Sequence, residues 1–274
     1  MGRMFLWGSG LLVIAILAAI MGLLIWRGGA VLSWDFLTMN PKGLFLGTEG
    51  GILPAITGTA SLVAIATLTA ALPALLTAIY LVEYGETSAF AHAVNFIIQA
   101  MIGIPSILTG LFGYSLFVVT LGFGMSLLAG GLTLALMILP TLVVLMRDAL
   151  RAVNDDYRLI GESLGVSRQY QLRRVILPLA SPHLVSAVLL GMGYAAGATA
   201  PIMVTAAVVM SRGSVSLFNP VMALPFHLYI LFSQHISLER AYGTALVLVI
   251  LLLILNAISL YLRSRYGKRV VSYD

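Results

Sequence analysis

Four arginines, Arg158, Arg168, Arg173 and Arg174, lie between Tyr157 and Pro182 of a 274-residue chain that is 60% hydrophobic and only 9% charged. Each guanidinium would cost roughly 2.5 to 3.5 kcal/mol at the centre of a bilayer, so this stretch sits in water. Ile160 and Leu164 are four apart, and Leu172, Val175 and Ile176 three and four apart, which predicts two short one-sided helices. Gly165 is placed as the hinge between them. A basic helix pair with an apolar stripe suits docking into a groove on another protein. It equally suits lying on lipid headgroups, and the spacing alone leaves both open.

Hydroxyls supply the second candidate chemistry. Ser106 and Thr109 follow Pro105 in the phrase GIPSILTGLFG, Gly103 to Gly113. Proline removes a backbone donor, so the freed carbonyls need a partner, water or a ligand. A broken helix of this kind lines a substrate path; a plain kink fits the same residues.

Several chemistries are excluded. There is no cysteine, and His92, His183, His227 and His235 are scattered without an HExxH pairing, so no metal site is expected. No phosphate-binding G-x-x-x-x-G-K-[ST] loop is present. No ionisable residue falls mid-way along an apolar run, which removes an intramembrane aspartate pair and argues against proton- or sodium-coupled carriage. No catalytic residue is assigned. The net charge of +5 resides at the ends of apolar runs, a membrane pattern rather than a nucleic-acid surface.

The elements that must position these groups are apolar runs. Leu6 to Trp26, between Arg3 and Arg27, is long enough to span and has no small-x-small cleavage pattern, so it is expected to remain as a first helix. A polar connector, Gly28 to Gly51, follows, with Trp26 and Trp34 as interfacial anchors. Ile52 to Val82 is the second run, in which Ala66, Ala70, Ala74 and Ala78 form a ridge for close helix packing. The connector Glu83 to His92 carries Glu83 and Glu86 but no Lys or Arg. Val94 to Leu121 and about Met125 to Met146 are the third and fourth runs.

The fifth, His183 to Met210, has Ala187, Gly191, Ala195 and Thr199 on one ridge and Gly193, Gly197, Pro201 and Thr205 on another, and is expected to be the central helix. Val221 to Phe232 is too short to cross and reads as re-entrant or interfacial. The sixth run, Tyr242 to Leu262, precedes Arg263, Arg265, Lys268 and Arg269. The fold class is therefore all-α integral membrane with six transmembrane helices. Six crossings put both termini on one side with the arginine loop, and that side holds eleven basic residues against Arg27, Lys42, Arg212 and Arg240 on the other. The positive-inside rule makes it cytoplasmic.

The ending LGVSRQYQLRRVILP, Leu164 to Pro178, resembles the EAA loop of ATP-binding-cassette (ABC) importer permeases. One departure is plain: the slot six residues before Gly165, usually Glu in the family, is Leu159, while Glu162 lies one turn along. Beyond the loop, GGILPAITGT, AIYLVEY, GIPSILTGLFG, GGLTLALMILP and ATAPIMVTA together resemble the A-type permease subunit of phosphate (Pst) importers, over roughly Gly50 to Leu262. The resemblance implies a type I ABC importer permease fold with a cytoplasmic coupling helix in the bacterial cytoplasmic (inner) membrane. Its domains are 1–50, an N-terminal helix and extracytoplasmic connector; 51–262, the permease core; and 263–274, a basic cytoplasmic tail.

ATPase coupling then falls to Leu159, Glu162, Leu164, Gly165, Arg168, Tyr170, Arg173 and Pro178, with motion passing through Leu177-Pro178 into the Ala187 to Thr205 helix. The substrate pathway falls to Ser106, Thr109, Tyr194, Thr199 and Thr205. Implied partners are a second homologous permease in a heterodimer, a cytoplasmic ATPase dimer that holds the ATP and Mg, an extracytoplasmic substrate-binding protein, and lipid. Where the family reads G-R-A-x-G-E-T-A-P, Tyr194 replaces the arginine and Ala198 the glutamate. A tyrosine cannot supply the bidentate charge that phosphate favours. The alternatives are another anion, a less charged phosphorus compound, or a non-transporting scaffold or sensor.

Overall fold

The computed structural model describes residues 2–42, 49–85, 88–209 and 216–271. Among the described residues five helices are long and apolar enough to cross a membrane: Phe5–Gly29, Leu53–Tyr84, Leu127–Arg151, Arg168–Ala196 and Leu238–Leu262. A sixth crossing arises if the bent pair Ala89–Ile102 and Ser106–Thr120 counts as one, its halves meeting at 102°. The expected third run is thus broken rather than kinked. Gly103 N–H and Ile104 N–H close the first half onto Ala100 O and Met101 O, and Pro105 O accepts from Leu108 N–H to open the second.

The chain divides into two compact units, one of Met1–Thr59, Val208–Val215 and Val221–Leu251, the other of Ala60–Ala207, Ser216–Pro220 and Leu252–Asp274. In chain order the helices are α1 (Gly2–Gly29), α2 (Trp34–Thr38), α3 (Leu53–Ile79), α4 (Ala89–Ile102), α5 (Ser106–Gly113), α6 (Leu127–Arg151), α7 (Asp156–Ser163), α8 (Arg168–Gln171), α9 (Leu177–Ala196), α10 (Ala200–Thr205), α11 (Leu224–Ser233) and α12 (Leu238–Val271). Wider π-helical turns extend α3 over Tyr80–Tyr84 and α5 over Tyr114–Thr120, and join α8 to α9 over Leu172–Ile176. A two-residue hairpin pairs β1 (Pro41–Lys42) with β2 (Glu49–Gly50).

In the second unit α6 is the centre. Two thirds of its best spanning window is buried (67%), against 28% for Arg168–Ala196, so the fifth run is not the central helix expected of it. Small residues explain the difference. Gly113 faces Thr133, Gly130 faces Ala206 and Gly131 faces Ile65, each too closely to admit a Cβ, so a side chain of the neighbouring segment sits directly on the glycine backbone at each contact with α6. The first turn of α6 is closed by the chain itself: Ser126 N–H donates to Thr205 O, Leu127 N–H to Asn219 O and Leu128 N–H to Leu217 O. The ridge Ala66, Ala70, Ala74, Ala78 on α3 is buried throughout, as its spacing predicts.

The fifth run also ends early. The helix begins at Arg168 within the polar loop and stops at Ala196, after which Gly197 to Thr199 break the chain before α10. Ala187, Gly191 and Ala195 are buried as one ridge, whereas Gly193 and Gly197 are not, so the second ridge does not continue into Pro201 and Thr205. The buried hydroxyls Ser186 and Ser259 lie 2.5 Å apart and link α9 to α12.

In the first unit, Thr59 Oγ1 accepts from Leu224 N–H at 2.8 Å and fixes the start of α11. Residues 221–227 are all buried, whereas Tyr229 and Phe232 in the second half of this short apolar helix are exposed. Arg240 reaches Gly50 O at 2.8 Å and stands over the Phe36 ring. The side chains of Arg3, Arg263, Lys268 and Arg269, and the whole of Glu86 and Arg212, lie outside the described residues.

His227, on α11 and outside the candidate spans, is 4% exposed and sits 3.2 Å from Thr244 Oγ1. Burial first, and the Arg240 charge second, push its pKa down to about 4. The folded state therefore holds it neutral while the unfolded chain takes up a proton below about 6.5. Stability present above that pH is lost as the pH falls toward 4. Between pH 7.5 and pH 5 this group should remove about 2 kcal/mol. Thermal unfolding of the detergent-solubilised protein at the two pH values should show that loss, and His227→Gln should flatten it; an unchanged acid response in the variant would assign the loss elsewhere.

Candidate functional site

The arginine-rich stretch folds as a helical hairpin. Helix α7 ends at Ser163, and Gly165 follows at φ +69°, a conformation glycine adopts without Cβ strain. Gly165 N–H bonds Glu162 O and Val166 N–H bonds Gly161 O, so the helix is closed by a Schellman turn. Ser167 Oγ then accepts from Tyr170 N–H at 3.4 Å and opens α8, which runs through its π turn into α9 without a break. The hairpin's second arm is thus the beginning of a membrane helix. Pro178, exposed, is the second residue of α9 and follows directly on the π turn, where its missing N–H interrupts the regular ladder of the continuous helix.

At the tip Leu159, Ile160, Leu164 and Tyr170 are between 57% and 74% exposed. Such an apolar knob on a water-facing hairpin is chemistry suited to a groove in another protein. Leu159 forms part of it, so the slot where the family usually has Glu is here an apolar contact. Glu162 is exposed at the side of the tip, 3.8 Å from Arg168 Nη2. Arg173 is exposed on the π turn, one turn before the membrane helix proper.

Two interactions hold the hairpin closed, and sequence reading missed both. Gln171, buried, donates from Nε2 to Tyr157 O at 2.5 Å and to Arg158 O at 3.1 Å, and Gly161 leaves just enough room for that amide. Arg158 donates from Nη2 to Glu83 Oε1 at 2.8 Å and from Nε to the same oxygen at 3.3 Å. It also reaches Val153 O, Leu150 O and Asp155 Oδ1. Burial works against the Arg158 charge, but the Glu83 hydrogen bond and the charges of Glu83 and Asp155 outweigh it, holding the pKa above the ordinary guanidinium value. The signal was present in the connector holding Glu83, which carries acids without a basic residue. Nothing in spacing links it to an arginine seventy-five positions away.

A cavity of about 480 Å³ opens beside the helix break, walled by apolar side chains such as Met101, Ile104, Phe112 and Met137. Its polar groups are the hydroxyl-bearing side chains of Thr109, Thr141 and Tyr194. The structure thus brings together Thr109 and Tyr194. Ser106 is exposed at the start of α5 and Thr199 sits in the break before α10; neither lines the cavity. Thr205 is fully buried, its hydroxyl donates to Pro201 O, and it does not line this cavity. Among the described residues no three His, Asp or Glu side chains converge as metal ligands.

The hairpin, the broken helix and the apolar crossings define a class. The profile of the family described as binding-protein-dependent transport system inner membrane component matches residues 43–272, and the chain belongs to that family. It is a multi-pass permease subunit. Among relatives it is 33% identical over 216 residues to the phosphate transport system permease protein PstA 1 of Mycobacterium tuberculosis, covering 78% of this chain and 71% of that one. It is 36% identical over 209 residues to the probable phosphate transport system permease protein PstA of Methanocaldococcus jannaschii, covering 75% and 73%. The inward-facing MetNI methionine ABC transporter shares the fold at a TM-score of 0.58 with 18% identity, over 80% of this chain and 97% of that one. A bacterial ABC transporter that imports the acidic polysaccharide alginate matches at 0.55 with 13% identity, over 94% and 96%. The fold is that of type I ABC importer permeases.

A valine at position 165 must adopt a left-handed backbone at a cost of about 1 to 2 kcal/mol. Gly165→Val is therefore expected to loosen the Schellman turn and raise hydrogen exchange over residues 161–171 while the membrane helices stay protected. Wild-type protection of the tip in that variant would reject the hinge.

Proposed function

We propose that this chain is one half of the translocation pathway of an ATP-driven importer for phosphate or a phosphate-like oxyanion. The observation that carries the reading is the hairpin: an apolar tip in water whose second arm is continuous with a membrane helix. Its likeness to the phosphate permeases of Mycobacterium and Methanocaldococcus supports the cargo. In this reading Leu159, Leu164 and Tyr170 seat in a groove of a cytoplasmic ATPase, with Glu162, Gly165, Arg168, Arg173 and Pro178 shaping and carrying the arm. The ATPase dimer holds ATP and Mg, an extracytoplasmic protein delivers the cargo, and a second permease of similar fold completes a heterodimer. Both termini face the cytoplasm, supported by the eleven-to-four asymmetry of basic residues.

Motion of the ATPase enters α9 directly. Alternating access follows as the hairpin tilts α9 and the Gly197 to Thr199 break absorbs the change in direction. Thr109 and Tyr194 face the passing cargo with hydroxyl donors, and recognition of its charge falls to the partner permease and the binding protein. Ser106 and Thr199 stand at the two helix breaks flanking that route. A second reading, another anion or a less charged phosphorus compound, is favoured by one observation: the cavity lining contains no charged side chain, and Tyr194 stands in it where the family usually has arginine.

The test is reconstitution with the co-purifying ATPase and the binding protein in proteoliposomes. Binding protein loaded with inorganic phosphate is expected to stimulate ATP hydrolysis and drive uptake. Stimulation by a different oxyanion alone selects the second reading, and failure to retain any ATPase removes both.

A further inference from the structure

The hairpin is attached to the membrane helices at three points. Two are covalent, from α6 into α7 and through α8 into α9. The third is the Glu83 carboxylate, at the end of the π turn that extends α3. Arg158 on α7 grips that carboxylate through two nitrogens, and Arg168 on α8 donates from Nη1 to the Glu83 main-chain oxygen at 3.3 Å. Both arms of the hairpin therefore hold the same residue. The Glu83 and Arg158 side chains are 14% and 19% exposed, enough shelter for the pair to escape most screening by salt. Arg158 also closes on Leu150 O near the end of α6, so one guanidinium joins the ends of α3 and α6 to the hairpin. A pair this far buried resists parting, because either charge alone would be left without compensation.

We infer that Glu83 is a positioning residue of the transport cycle, which through Arg158 ties α7 to the end of α3, so that motion of the hairpin moves α3 together with α9. The inference rests on the permease reading above. It makes the hairpin a two-armed lever: α9 is driven by chain continuity and α3 by charge. The ridge Ala66 to Ala78 lets α3 move as a smooth rod against its neighbours.

The test uses the whole assembly, this chain with its ATPase and binding protein in proteoliposomes, and inorganic phosphate as transported probe. Glu83→Gln keeps the side chain's size and removes its charge. The ATPase is expected to remain attached and active while phosphate taken up per ATP hydrolysed falls by about fivefold or more. The exchange Glu83→Arg with Arg158→Glu should recover most of the ratio. An unchanged ratio in Glu83→Gln overturns the inference, as does loss of ATPase attachment in step with uptake that the exchange does not repair. Should Glu83→Gln fail to accumulate, the exchange variant decides alone: coupled uptake supports the tie, and an assembled, hydrolysing but transport-dead exchange rejects it.

A second readout does not depend on the cargo. The chain has no cysteine, so spin labels can be placed at cysteines introduced for Leu76 on α3 and Ser163 on α7, both exposed. The distance between them should stay fixed between nucleotide-free and ATP-bound wild-type assemblies and change in Glu83→Gln. A wild-type distance that itself changes overturns the tie even if phosphate proves to be the cargo. A wild-type distance that is fixed and changes in Glu83→Gln upholds it even if phosphate is not the cargo, and one that stays fixed in the variant as well overturns it.

Discussion

A guanidinium group excluded from hydrocarbon sets the terms for this molecule. Because Arg158, Arg168, Arg173 and Arg174 cannot enter the bilayer, the segment between α6 and α9 must fold in water with few apolar groups of its own. It solves that problem by self-closure: a Schellman turn at Gly165, a buried glutamine bridging the two arms, and a carboxylate brought from the end of α3. Its leftover apolar side chains, Leu159, Ile160, Leu164 and Tyr170, are then forced outward onto the tip. The exposed apolar tip and the arm continuous with α9 are consequences of the same exclusion.

Within the membrane helices the corresponding constraint is that backbone groups find partners inside the protein. The break at Gly103 to Pro105 and that at Gly197 to Thr199 both interrupt the regular ladder, and the breaks come from helices that pack together, α5 and α10 meeting where Gly110 lies against Pro201. Close approach there requires small residues on both sides. The same economy of side chains around α6 leaves room for hydroxyls to be placed with little bulk about them. Polar groups are sparse; Thr133, Thr205, Ser186 and Ser259 bond within the protein, while the buried Thr67 hydroxyl has no hydrogen-bond partner among the described residues.

Local signals were legible where the physics is local. Four-residue spacing of alanines marked the buried face of α3, charge marked the water-facing hairpin, and proline marked the broken helix. Continuity was harder. The polar residues Arg168 to Arg174 masked the fact that their helix runs on to Ala196, because a helix can begin in water and enter lipid without any change in backbone. The mirror error placed Thr205 in an uninterrupted fifth helix, since Gly197 reads as a packing glycine as readily as a break. Two ridges of small residues made the fifth run look central, whereas only one of them is buried, and the glycines with side chains pressed onto them lie on or against α6. Of the Glu83 to Arg158 pair only the acidic connector was legible, since the pairing depends on the end of α3 and the start of α7 meeting in space.

That pair bears on the departure at Leu159. A carboxylate in the hairpin's own first arm could serve an adjacent arginine, and at that slot this chain has leucine. Two acids of the first arm stand in the open: Glu162, exposed and 3.8 Å from Arg168, and Asp155, exposed and 3.0 Å from Arg158, a setting in which water screens each pair heavily. The sheltered carboxylate is instead Glu83, delivered from α3, and its bond to Arg158 is 2.8 Å long in partly buried surroundings. A charge pair gains more from shelter than from closeness in sequence. The leucine therefore leaves the tip apolar while the hairpin keeps one firmly held carboxylate, and that carboxylate belongs to a different helix.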